Sequence, residues 1–152
     1  MKAGFTLMEL TIALGIMLLL SGTALAAFSG IQRRTLHHAS LELQSTLRTA
    51  QRLALAEGRR HRVVINEYEN WYELRTVLPH FQTELLRRVY FPEGVTITQF
   101  NRSHENLPRV DYLPRGTATT AFTIRLELGR YSQEMTGTVG GGRVALDPVV
   151  PR

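Results

Sequence analysis

One carboxylate, Glu9, stands at the edge of a long uncharged run, and the next ionised side chain after it is Arg33. At the border of an apolar phase such a group is costly unless it meets a cation, so Glu9 reads as a residue that needs a partner. The other concentrations of charge are arginines. Between Arg33 and Arg62 seven arginines face only Glu42 and Glu57. That segment accounts for the whole formal net charge of +5, because Lys2 balances Glu9, and from Val63 to Arg152 ten arginines balance ten acids. Arg59, Arg60 and Arg62, with Arg143 from the far end of the chain, are candidate contacts for DNA phosphates. Anionic lipid headgroups and acidic protein faces attract the same side chains, and a solvated helix face needs no ligand at all.

No reaction is legible in the remaining polar residues. There is no cysteine, which removes disulfides, thiol nucleophiles and thiolate metal sites. His37 and His38 are adjacent and point to different helix faces, with only Glu42 nearby, so no metal ligand set is expected. The segment from Gly137 to Arg143 lacks the Gly-Lys-Ser/Thr ending of a phosphate loop and no helical pattern follows it, which leaves a hairpin turn. Trp71, Tyr72 and Phe81 read as packing aromatics of a small β domain. No nucleophile and base, and no pair of carboxylates, has an interpretable spacing. The expectation is a chain with no catalytic residues, no cofactor and no metal.

The elements that would position Glu9 and the arginines follow from the hydrophobic pattern. Leu10 to Phe28 is free of charge, and at about 1.5 Å per residue it reaches about 28 Å, close to the thickness of a bilayer core. Small residues such as Gly15 and Gly22 interrupt it in the manner of membrane helices that pack closely. A secretory signal cleaved near Ala24 to Ala27 is the competing reading, but Glu9 has no place in one. Beyond the run, Leu36, Leu43, Leu47, Ala50 and Ala54 form one helical stripe, and Gly58 is the stop signal. A helix from about Thr6 to Glu57 is expected, its upper stripe packed on a sheet. Short β-type runs follow at His61–Asn66, Asn70–Val77, Leu85–Phe91, Val95–Phe100, Ala121–Leu128, Tyr131–Val139 and Arg143–Leu146. Asn101 to Thr120 reads as a long connection. The fold class is α+β: a long N-terminal transmembrane and stem helix packed against an antiparallel β head.

Lys2-Ala3-Gly4-Phe5-Thr6-Leu7-Met8-Glu9-Leu10, followed by about twenty apolar residues, resembles the processing motif of type IV prepilins and pseudopilins. The resemblance implies cleavage between Gly4 and Phe5 by a prepilin peptidase, methylation of the new amino terminus on Phe5, and pairing of Glu9 with the terminal amine of a neighbouring subunit. It divides the chain into a leader (1–4), a transmembrane and filament-core helix (5–32), an amphipathic stem (33–57) and a β-rich head (58–152). It also implies a single pass through the inner membrane with the N-terminus cytoplasmic and the head outside. A plain count of flanking charge favours the reverse, since Arg33 and Arg34 flank the outer end and only Lys2 the inner.

The strand order and the final Gly142-Arg143-Val144-Ala145-Leu146 resemble the GspH/FimT group of minor pseudopilins. Some members of the FimT branch bind DNA through a Gly-Arg-x-Arg motif, of which Gly142 and Arg143 match while Ala145 takes the second arginine position. The expected function is therefore a minor pilin-like subunit of a type II secretion pseudopilus or type IV pilus, partnered by prepilin peptidase, other subunits and the membrane. A DNA-binding minor pilin of a natural transformation system is the alternative, and a plain anchored β domain is the third reading.

Overall fold

The computed structural model describes residues 7–100, 108–140 and 143–152, with side chains described for all of these except residues 20–29 and Phe81. The leader 1–4, the proposed new terminus Phe5, and Gly142 lie outside the described residues. The chain divides into two compact units, 1–32 and 33–152, and the helix α1 is Leu7–Glu57.

In the first unit α1 carries Glu9 in its first turn, where a negative charge complements the positive end of the helix dipole. The large apolar side chains described there, from Leu7 to Leu19, are each more than half exposed. Among the described residues no helix is long and apolar enough to cross a membrane. The expected span 5–32 includes residues outside that description.

In the second unit α1 is built from good helix formers, mostly Leu, Ala, Gln, Arg and Glu between Leu41 and Glu57. Its stripe is the core: Leu36, Leu43, Leu47, Ala50 and Ala54 are fully buried. Gly58 adopts φ +61°, the left-handed conformation that ends the helix and releases the chain into the first strand.

Among the described residues nine strands follow: β1 (His61–Asn66), β2 (Trp71–Val77), β3 (Thr83–Tyr90), β4 (Thr96–Phe100), β5 (Arg109–Tyr112), β6 (Phe122–Leu128), β7 (Tyr131–Gly137), β8 (Val144–Leu146) and β9 (Val150–Pro151). They form two antiparallel sheets, β3-β2-β1-β5 and β4-β6-β7-β8, with β9 paired to β7. Register explains the burial. Val63 lies opposite both Leu74 and Val110, Ile65 opposite Tyr72, and all of them join one apolar cluster with the helix stripe. Ile124 opposite Met135 does the same from the second sheet. Direct hydrogen bonds fasten the helix: Gln44 Nε2 donates to the Val144 carbonyl and Gln51 Nε2 to the Gly116 carbonyl, both at 2.9 Å.

The expected connection from Asn101 to Thr120 is corrected by β5. Val110 and Tyr112 of that strand face the core, while Arg109 and Asp111 face outward on the same sheet as Arg62. Only four residues long, with two charges, it carries too little apolar alternation to be seen before its partner strand is known. β9 was likewise outside the expected strands. It is held by the Arg152 amide on the Arg130 carbonyl (2.7 Å) and by the Arg152 guanidinium on Glu127 (2.8 Å).

Candidate functional site

Three places bear the residues singled out above. The first is the start of α1. Glu9 is exposed there among exposed Leu7, Met8 and Leu10, so a carboxylate stands on an apolar helix surface. Such a surface suits burial against other apolar helices or acyl chains, where a carboxylate is costly unless a cation meets it.

The second place is the pair of chain segments holding the four candidate arginines, which do not form one patch. Arg59 is exposed just after the helix stop, and Arg60 is half-buried. Arg62 is committed to Asp111 through two parallel bonds, Nε to Oδ1 at 2.6 Å and Nη2 to Oδ2 at 2.9 Å, with Arg109 3.9 Å from the same carboxylate. Crowding shows in Arg109: burial, then the neighbouring Arg62 charge, pushes its pKa below the usual arginine value, against the pull of Asp111. Arg143, at the entry to β8, belongs elsewhere. It lines an open cleft of about 390 Å³ with Arg48 and Arg52 of α1, above Val144 and Ala145. Arg48 and Arg52 share one helix face because they are four residues apart. None of Arg59, Arg60 and Arg62 lines that cleft.

The third is the outer face of the first sheet, where sequence reasoning missed the main feature. Glu73 is fully buried and is held by Arg75 (Nε to Oε2, 2.6 Å) and by Arg88. Arg88 also lies over the Trp71 ring, 4.7 Å from its centre, and Trp71 Nε1 donates to Glu69 at 2.6 Å. No sequence signal marks Glu73 as buried, because its cover is supplied by the cross-strand partner Arg88 and by its own neighbours. Tyr72 packs against Phe91 with ring centres 5.0 Å apart, and burial pushes its hydroxyl pKa up to about 12. Tyr112 is raised by burial too. Both are therefore core aromatics and present no exposed ring face.

His37 and His38 have ring centres 6.5 Å apart, and His37 Nδ1 lies 3.2 Å from Gln133 Nε2. Among the described residues no group of three or more His, Cys, Asp or Glu side chains is placed to hold a metal ion. Gly137 ends β7 opposite Phe122, in strand pairing and not in a phosphate-binding loop.

A helix whose second half is the spine of a small antiparallel β head, in two sheets, is the pilin-like α+β fold. The model of the family described as Type II transport protein GspH matches residues 39–143, and the chain belongs to that family of minor pseudopilin-like proteins. No curated protein matches the sequence. Among solved structures, the minor pseudopilin EpsH from the Type 2 Secretion System of Vibrio cholerae is similar, with TM-score 0.63 and 15% identity over 74% of this chain and 96% of that one. The type IV minor pilin FimU of Pseudomonas aeruginosa is similar at TM-score 0.61 and 18% identity, over 76% of this chain and 90% of that one. At these identities the likeness is one of fold.

Proposed function

We propose that this chain is a minor filament subunit that is cut after Gly4, methylated on Phe5, held in the inner membrane by residues 5–32 with its head outside, and drawn into a secretion pseudopilus or type IV pilus. The observation that carries the reading is the coincidence, in one chain, of a GspH-family head over residues 39–143 with the Gly4-Phe5 to Glu9 sequence ahead of it. The two are independent, since the processing motif lies wholly outside the matched residues.

Each part has a physical role. Gly4 lets a protease reach the backbone without a Cβ in the way. The large apolar side chains described from Leu7 to Leu19 are exposed on the helix, suited to lipid before assembly and to other helices afterwards. Glu9, four residues beyond the new amine, pairs with the amino terminus of the next subunit and penalises any axial slip that would leave it without a cation. The role is structural, and the chain is the substrate of the peptidase.

Intact mass and N-terminal sequencing of membrane-extracted protein, from cells with and without the prepilin peptidase, test this directly. The expected product begins at N-methyl-Phe5 and appears only with the peptidase. A mature chain beginning at Met1, or near Ala27, would return it to the anchored or secreted β domains. In Glu9→Ala the same cleavage is expected, with at least a ten-fold loss of the chain from sheared filaments, roughly the effect of forfeiting 1.4 kcal/mol.

A further inference from the structure

Several arginines of the head already have acidic partners. Arg62 is on Asp111, Arg75 and Arg88 on Glu73, Arg87 on Glu42, Arg125 on Glu134, and Arg152 on Glu127. Arg48, Arg52 and Arg143 are different. All three are exposed, none of their guanidinium groups makes an ion pair or hydrogen bond among the described residues, and they converge on the cleft of about 390 Å³ between α1 and β8. Among the described residues no carboxylate lines that cleft. A second hollow of about 290 Å³ continues it along the same helix face past Thr49, Ser45 and Leu41, and shares Arg48 and Arg52 with it. From Leu41 to Arg52 the groove runs about 16 Å along the helix.

Three like charges gathered without a counter-charge are mutually repulsive, and they lower the free energy of the head only when an anion joins them. The walls decide which anion. Besides the arginines, the first hollow is lined by Val144, Ala145 and Gln51 and the second by Leu41 with the polar Gln44, Ser45 and Thr49; among the described residues no aromatic side chain lines either, so there is no platform on which bases stack. Arg59 and Arg60, the other exposed or half-exposed cations nearest in sequence, lie outside the groove and do not extend it into a phosphate-tracking path. A groove rimmed by arginines, with Val144 and Ala145 at one end and amide and hydroxyl side chains along the other, instead fits a polypeptide that presents carboxylates about one helical turn apart, matching the spacing of Arg48 and Arg52.

We infer that the Arg48–Arg52–Arg143 groove is a docking site for an acidic segment of another subunit of the filament. This rests on the filament reading above and adds to it the surface and the chemistry of the contact. It assigns Arg48 and Arg52 a role beyond solvation, and gives Arg143 a protein partner in place of a nucleic acid.

The test uses the full chain in cells that carry the whole filament machinery, with photoreactive p-benzoylphenylalanine replacing Ala145 in the groove. The expected result is a crosslink that peptide mass spectrometry maps to a filament subunit, within one helical turn of at least two Asp or Glu residues. Its yield should fall about ten-fold in Arg48→Ala/Arg52→Ala/Arg143→Ala, within the range that three exposed ion pairs contribute, and largely survive in the triple Lys variant. The mature terminus of both variants is read in the same samples, and a thermal melt of the extracted chain reports whether the head is folded. Crosslinks to nucleic acid, to a segment without carboxylates, or with undiminished yield in a folded triple Ala variant would overturn the assignment. A correctly processed, filament-incorporated chain with no crosslink also refutes the groove while leaving the filament reading standing. Absence of the Phe5 terminus refutes both.

Discussion

Gly137 faces Phe122 across the β6–β7 pair, and a Cβ placed on it would stand 2.2 Å from both Cε1 and Cζ of the ring. Carbon atoms in contact rest at about 3.5–4.0 Å, so Gly137→Ala forces the ring back by at least about 1.3 Å. It has little room to retreat: Phe122 is 3% exposed and belongs to the apolar cluster that includes Ile124 and Met135. Overpacking of this kind costs about 1–3 kcal/mol, offset by the few tenths to about 1 kcal/mol that replacing glycine gains by restricting the unfolded chain. The net loss expected is about 1–2 kcal/mol, which for a head of about a hundred residues lowers Tm by roughly 5–10 °C. Phe122→Ala alone should cost about 3–5 kcal/mol. The double variant should lose less than the sum, by about the clash energy, because the new methyl enters space the ring has left. Trp71 is the single tryptophan and is buried, so its fluorescence follows unfolding of the full chain in detergent. An unchanged Tm in Gly137→Ala, or strictly additive losses in the double variant, would show that the ring does not rest on this glycine as described.

Two further changes test the polar side of the head. Glu73→Gln removes the charge between Arg75 and Arg88, whose side chains are 30% and 40% exposed; water then takes part of the loss, and about 2 kcal/mol of destabilisation is expected in a urea titration, with a shift in Trp71 emission as Arg88 is released. For Tyr72 and Tyr112 the pKa in the folded state lies above the ordinary value near 10, so at neutral pH both states hold the proton and no pH-dependent term acts. Above about pH 10 the unfolded chain releases protons that the folded one keeps, and stability falls steadily from about pH 10 to pH 12. Among the described residues neither hydroxyl makes a hydrogen bond of good geometry, Thr46 being the polar side chain nearest in effect to that of Tyr72, so Tyr72→Phe and Tyr112→Phe should leave stability at pH 7 within about 1 kcal/mol and flatten the alkaline decline, read by denaturation at stepped pH.

What could be read from the chain in advance was whatever one segment encodes by itself. The helix stripe from Leu36 to Ala54 is periodic, and every named member is buried. The alternation in Phe122 to Leu128 is equally local, and β6 takes it up. β5 was illegible because the outward charges Arg109 and Asp111 make sense only after Arg62 of β1 lies beside them. Glu73 was illegible for the same reason, its burial depending on Arg88 of the next strand. The neighbourhood of Arg143 was illegible too, since only the fold places it in one cleft with Arg48 and Arg52 of α1.

That placement changes what the net charge means. Counted by segment, the stretch after residue 62 is neutral and the excess sits between Arg33 and Arg62, which points to the helix and its exit as the basic surface. Counted by pairing, Arg62 leaves that excess because Asp111 takes it, and Arg143 joins from the neutral stretch because no described carboxylate does. Charges in pairs contribute little field beyond their neighbours and screen each other, whereas a convergent unpaired set attracts an anion over about a Debye length. The surface most exposed to such attraction is therefore the α1–β8 groove, and contacts made there should weaken as ionic strength rises, while the bidentate Arg62–Asp111 pair, mostly buried, should hardly respond.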